Sequence, residues 1–192
     1  MKTTSGVATA LILFCSPLWA QVPAATPQGG PPRLPNLVLT STAFKDGGVL
    51  PDKYSGLNPT PTSPPLSWTN IPAGTVSIAL LMHDPDTAPA KSTTDILHWL
   101  AFNIPASATS LPEGVAKVAK LPDGTIQIQN RNSFGFAGPG APPGAYHHYT
   151  IELYALDTKL NLDENATRED VIKAMDGHVL SRGEIVALFH RT

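Results

Sequence analysis

Val76–Asp86 reads VSIALLMHDPD, and shortly afterwards Asp95–Pro105 reads DILHWLAFNIP. Side chains alternate between the two faces of a strand, so Val76, Ile78, Leu80 and Met82 share one face of the first run. The same count places Asp84 and Asp86 on that apolar face. Pro85 has no N–H to give to a ladder, so the strand is expected to end there with Asp84 at the rim of the core. In the second run His98 falls in line with Ile96, Leu100 and Phe102. Titratable groups among core positions are costly unless they are paired, so both runs point to a polar group built at a strand end.

The rest of the chain carries the same period. Ile126 and Ile128 alternate with Thr125, Gln127 and Gln129. His147, Tyr149, Ile151, Leu153 and Ala155 alternate with His148, Thr150, Glu152 and Tyr154. Ile185, Ala187 and Phe189 make a last run. Turn residues separate these runs, and 20 prolines and 15 glycines supply them. One segment departs from period two. Thr167–Met175, TREDVIKAM, has a capping threonine, acidic residues in its first turn and Gly177 past its end, which predicts a short helix. Many short strands and one late helix predict a mainly β fold, a sandwich of antiparallel sheets with a small helical addition.

The formal net charge of −2 and the absence of any block of like charge argue against a nucleic-acid partner. Met1–Ala20 reads as a cleavable export signal: Lys2 is its one charge, Val7–Trp19 is mostly apolar, and Ala20 is small. That run is too short for a comfortable membrane span, so no transmembrane segment is expected after its removal. The single cysteine, Cys15, lies inside it, leaving the exported chain without a disulfide. Gln21–Pro35, QVPAATPQGGPPRLP, reads as a Pro/Gly linker with too little apolar content to pack. The folded domain is expected over residues 36–192, in a secreted and most simply periplasmic protein.

His147 and Tyr149 share a face with Ile151 and Leu153, as His98 and Asp84 do with their own core neighbours. If the three segments converge, they bring together two imidazoles, a carboxylate and a phenol. Imidazoles and a phenol can donate to the oxygens of an anion, and a carboxylate beside a histidine favours its charged form. Phe134–Tyr146, FGFAGPGAPPGAY, is stiff and allows close backbone approach, which suits a wall for such a site.

HDPD followed by HWLAFNIP, then NSFGFAGPGAPPGAYHHYTIELYALD and TREDVIKAMDGHVL, resembles the phosphatidylethanolamine-binding protein family, most of all its bacterial Raf-kinase-inhibitor-like branch. The resemblance covers about residues 36–191, and its two signature regions occur in the family's order. It implies an antiparallel β-sandwich with Greek-key links that binds small anions or phospholipid head groups. It places ligand contacts at Asp84, His98, His147 and Tyr149, with Gly138, Pro139, Pro142 and Pro143 on the wall loop. Pro85, Asp86 and Trp99 then have structural parts, Asp86 by pinning its loop. Two departures fall at the rim. Pro89 comes one residue late in DPDTAP, shifting the Thr87–Asp95 loop, and Gly140–Ala141 separate Pro139 from Pro142.

Alternative chemistries have thinner support. His98, His147 and Asp84 could form a two-histidine, one-carboxylate metal set, but no HExxH run or close histidine pair accompanies them. A serine hydrolase would need Ser133 beside the site, and neither a GxSxG elbow nor a phosphate-binding loop occurs. The expectation is therefore a non-enzymatic binding protein with no cofactor and no metal, taking a small anion. A regulatory module that inhibits a protease, or less plausibly a kinase, through the pocket rim is the alternative. If the histidines must be charged to hold the anion, affinity should weaken as pH rises past the ordinary imidazole range, about 6.5.

Overall fold

The computed structural model describes residues 36–87, 93–130 and 133–192. The expected signal and linker, residues 1–35, lie outside the described residues, as does 88–92 of the shifted loop. The strands are β1 (Val38–Thr40), β2 (Gly48–Val49), β3 (Leu66–Thr69), β4 (Ser77–Asp84), β5 (Ile96–Pro105), β6 (Ser110–Leu111), β7 (Ile126–Gln127), β8 (Gln129–Asn130), β9 (Ser133–Phe134), β10 (His147–Leu156) and β11 (Val179–Phe189). The helix α1 spans Arg168–Met175.

A six-stranded sheet in the order β2-β11-β10-β4-β5-β7 carries the fold, and a three-stranded sheet, β1-β3-β6, packs with it. Pairings are antiparallel except that of β2 with β11. The chain leaves β4 into β5 on one side and returns through a long connection to place β10 on the other, a Greek-key type of link. Leu39, Leu66 and Trp68 of the small sheet share one core with Ile78, Leu80, Met82, Ile151, Leu153 and Ile185 of the large one. Each such side chain, fully buried, contributes about 1.5–3 kcal/mol.

The large sheet is covered on its other face too. Ala79 and Leu81 of β4 join Leu100, Phe102, Leu156, Val171 and Met175 in a second core under α1. The helix begins where its cap was read. The Thr167 hydroxyl accepts from the Asp170 N–H at 3.1 Å, and the Asp170 carboxylate accepts from the Thr167 N–H at 2.9 Å. The chain turns out of it through Gly177 at φ +80°. The Thr125–Gln129 run, expected as one strand, breaks at Ile128, which dives into the second core and splits β7 from β8.

β5 also departs from simple alternation. Asp84 pairs with Ile96 and His83 with Leu97, but Met82 pairs with Trp99. His98 is the extra residue of a β-bulge, which re-aims neighbouring side chains. Leu97 packs toward the second core while Trp99 enters the first. Leu100 and Phe102, expected on the face of His98, therefore lie on the opposite side of the sheet. A second shift sits at Asn103, at φ +57°, whose side chain holds both the N–H and the carbonyl of Leu160.

Candidate functional site

Three strand termini meet at one end of the large sheet. Register sets this: Thr150 opposes His83, so the start of β10 lies against the end of β4, and the start of β5 flanks β4 on the other side. Asp84, His98, His147 and Tyr149 are brought together there. Asp84, His98 and Tyr149 are each at most 3% exposed, and His147 is half-buried.

Asp84 organises the group. Its Oδ1 accepts from the Asp86 N–H at 3.0 Å, an Asx turn through Pro85 that ends the strand. Its Oδ2 lies 2.9 Å from His147 Nδ1 and accepts from the Thr87 hydroxyl at 3.3 Å. Thr87 Oγ1 also lies 3.1 Å from His147 Nδ1. A carboxylate only accepts, so Nδ1 of His147 carries the hydrogen that faces it. The same reasoning applies to His98, whose Nδ1 is 2.8 Å from the Ala137 carbonyl. Each imidazole thus presents its Nδ1–H to a protein acceptor, which fixes ring orientation and tautomer.

Tyr149 stands between the rings. It meets His98 edge-on at 5.0 Å between centroids and stacks with His147 at 6.5 Å. Burial and the nearby Asp84 charge push its phenol up to about 12, so it keeps its proton at any ordinary pH. The Gly140 N–H donates to its hydroxyl at 3.3 Å.

The wall loop is fastened rather than draped. Ala137 N–H donates to the His98 carbonyl at 2.7 Å, and the Asn130 amide donates to the same oxygen at 2.9 Å. Gly56 N–H donates to the Pro139 carbonyl at 2.6 Å. A Cβ on Gly138 would sit 2.4 Å from Gly56 N and 2.5 Å from the Tyr54 carbonyl oxygen, so the close approach requires glycine. Pro142 and Pro143 are exposed further along, with Pro143 bridged to Arg191.

Asp86 bonds across to the start of β10. Its Oδ2 accepts from the His148 backbone N–H at 2.6 Å and meets His148 Nδ1 at 2.8 Å. Desolvation pushes this carboxyl up, but the two bonds from His148 outweigh it and hold the group below its ordinary value. Trp99 is packing: it is fully buried, edge-on to Phe136, and donates from Nε1 to Gln127 at 2.8 Å. Sequence reasoning missed Thr87 and the backbone groups of Ala137 and Gly140. Thr87 belongs to no periodic run, and backbone donors carry no residue signature.

The six-stranded and three-stranded sheets share one core, and the imidazole-rich group sits at one end of the larger sheet. The phosphatidylethanolamine-binding protein family model matches residues 40–190, and the chain belongs to that family. It is 44% identical over 156 residues to a UPF0098 protein of Methanothermobacter thermautotrophicus, covering 80% of this chain and 98% of that one. Its fold matches the crystal structure of a phosphatidylethanolamine-binding protein homologue from Chlamydia trachomatis with a TM-score of 0.72 and 32% identity, over 82% of this chain and 99% of the other. YbcL of E. coli, described as a member of the mammalian PEBP family, matches at TM-score 0.69 and 30% identity, over the same shares of the two chains.

Proposed function

We propose that the protein is an exported binding protein that holds a small oxyanion, phosphate or a phosphate head group, among His98, His147 and Tyr149, without turning it over. One observation carries the reading. Both imidazoles have Nδ1 tied to a protein acceptor beside a phenol held protonated, an arrangement that fixes how each ring is turned. A charged imidazole in that setting donates from Nε2, and charge-assisted bonds to an oxyanion are the strong ones. The description of the family as phosphatidylethanolamine-binding supports the ligand class. The loop through Gly138 and Pro139 supplies a rigid wall. Export rests on the sequence of Met1–Ala20, and periplasmic residence is the simplest destination.

Isothermal titration with phosphate, phosphoethanolamine and lysophosphatidylethanolamine tests this, beside a folded His98→Ala/His147→Ala double variant. Binding by the parent protein that vanishes in the double variant is the expected result. Silence from a well-folded parent would remove the anion reading and favour a protein partner, such as a protease, recognised through the rim.

A further inference from the structure

A head group such as phosphoethanolamine has two ends, an anion and an ammonium. If the oxyanion reading holds, on which this inference rests, the site must still favour one end of the head group or neither. An ammonium buried beside protein needs an acceptor, and a carboxylate with open lone pairs is the usual one. Asp84 is the carboxylate that faces His147, and its side chain is 5% exposed. A carboxylate has about four acceptor positions. Asp84 already takes the Asp86 N–H on Oδ1, and the His147 Nδ1–H and Thr87 hydroxyl on Oδ2. The protonated phenol of Tyr149 lies close enough to be held up by the same charge. The other carboxylate on this turn, Asp86, is engaged by His148, which lies on the opposite face of β10 from His147.

We propose that Thr87 is a specificity-determining residue: with His147 it fills Oδ2 of Asp84 while the Asp86 N–H takes one position on Oδ1, so among the described residues this carboxylate keeps at most one position for an amine, and the site recognises a phosphate monoester and ignores what the phosphate is attached to. Asp84 is then an organiser of His147 rather than a contact for the ligand. Thr87 does two things at once. Its hydroxyl caps Asp84 Oδ2, and its 3.1 Å approach to His147 Nδ1 keeps that ring turned to the carboxylate. An ammonium group in such a complex stays in water, where its hydration costs nothing to keep.

The test is titration of the purified protein with methyl phosphate and with phosphoethanolamine at one pH, for the parent, Thr87→Ala and Thr87→Ser, with thermal melts to show that each is folded. In the parent the two affinities should agree within about threefold. Thr87→Ala should open an acceptor on Asp84 and shift the ratio several-fold toward phosphoethanolamine, while Thr87→Ser, which keeps the hydroxyl, should restore the parent ratio. A parent that binds phosphoethanolamine tenfold or more tightly than methyl phosphate would overturn the inference. So would a folded Thr87→Ala with an unchanged ratio. Failure of both ligands to bind the folded parent has a different meaning: it removes the oxyanion reading itself, and this inference with it.

Discussion

Consecutive residues of β4 build two carboxylate–imidazole groups on opposite faces of one sheet. On the inner face Asp84 meets His147 at 2.9 Å; on the outer face His83 meets Asp95 at 2.5 Å. Burial does not distinguish them, since the side chains are 5% and 14% exposed inside and 15% and 19% outside. What differs is how the rings are used. His83 has Asp95 at Nδ1 and Glu152 3.6 Å from Nε2, while Arg168 bonds Asp95 and Arg182 bonds Glu152. That chain of charges is closed and nearly balanced, and it ties α1 and the β5 entry to the sheet. His147 uses Nδ1 alone among its bonds to described residues. A histidine engaged through both nitrogens is a staple, and one engaged through a single nitrogen can still serve a ligand.

The largest test removes the wall of the inner group. Gly138→Ala forces a methyl against the backbone of residues 54–56, where no flexible side chain can yield. Denaturant unfolding should show a loss of about 1–3 kcal/mol or more, and phosphate binding should fall with it. An unchanged midpoint would mean that the wall is not held as described.

Next in size is the exchange of the two histidines. His147→Ala should weaken phosphate binding at least tenfold with a small change in melting temperature. His83→Ala should do the reverse, leaving the affinity within about twofold while costing about 1–3 kcal/mol by removing the imidazole that links the Arg168–Asp95 pair to the Glu152–Arg182 pair. Calorimetry on both variants reads both quantities, and a reversal of the pattern would erase the distinction between staple and site.

Proton linkage separates the groups further. Nδ1–H of His147 is committed to Asp84, so a hydrogen bond between Nε2 and phosphate requires one more proton, either on the ring, where Nε2 donates, or on the phosphate, where Nε2 accepts. The complex holds a proton that the free partners lose as pH rises. Affinity should therefore fall with increasing pH, and titrations in buffers of different ionisation enthalpy should report proton uptake. Equal affinity across pH 5–8 would contradict this.

The outer group acts on stability instead. Desolvation raises the Asp95 carboxyl, but the bonds from Arg168 and His83 outweigh it and hold the group below the ordinary carboxylate value. A depressed carboxylate stabilises the fold above its unfolded pKa, about 3.9, and that contribution disappears as pH falls through the folded value. Asp95→Asn should flatten the loss of stability between about pH 5 and pH 2 in acid titrations followed by circular dichroism. The smallest effect belongs to the half-exposed His178–Asp157 pair, where Asp157→Ala should change stability by less than about 0.5 kcal/mol.

Much of this was legible in the chain because the signals were periodic. Ile78, Leu80 and Met82, and Ile151, Leu153 and Ala155, declared their faces by alternation, and Thr167 declared the helix by its cap. Asp84, His98, His147 and Tyr149 could be grouped because each sits near a strand end among core positions. The tethers could not be read this way. The Ala137 carbonyl and Gly140 N–H belong to a loop whose path depends on Gly138 packing against Gly56. Thr87 looks like any turn threonine until Asp84 and His147 are placed beside it. The surroundings of His98 were misread because alternation assumes an unbroken ladder, and the ladder is broken at that residue.

β5 can be viewed as a strand read in three frames. The reading frame of in and out slips once at His98 and again at Asn103, so Leu97 faces the second core while Trp99, Ala101 and Ile104 reach the inner side, although even spacing forbids it. Deleting one residue next to His98 would restore an ideal ladder to the sheet. It would also return Trp99 or His98 to the wrong face. The irregularity is thus the address of the site, and a sequence redesigned for a perfect strand here would have nowhere to put it.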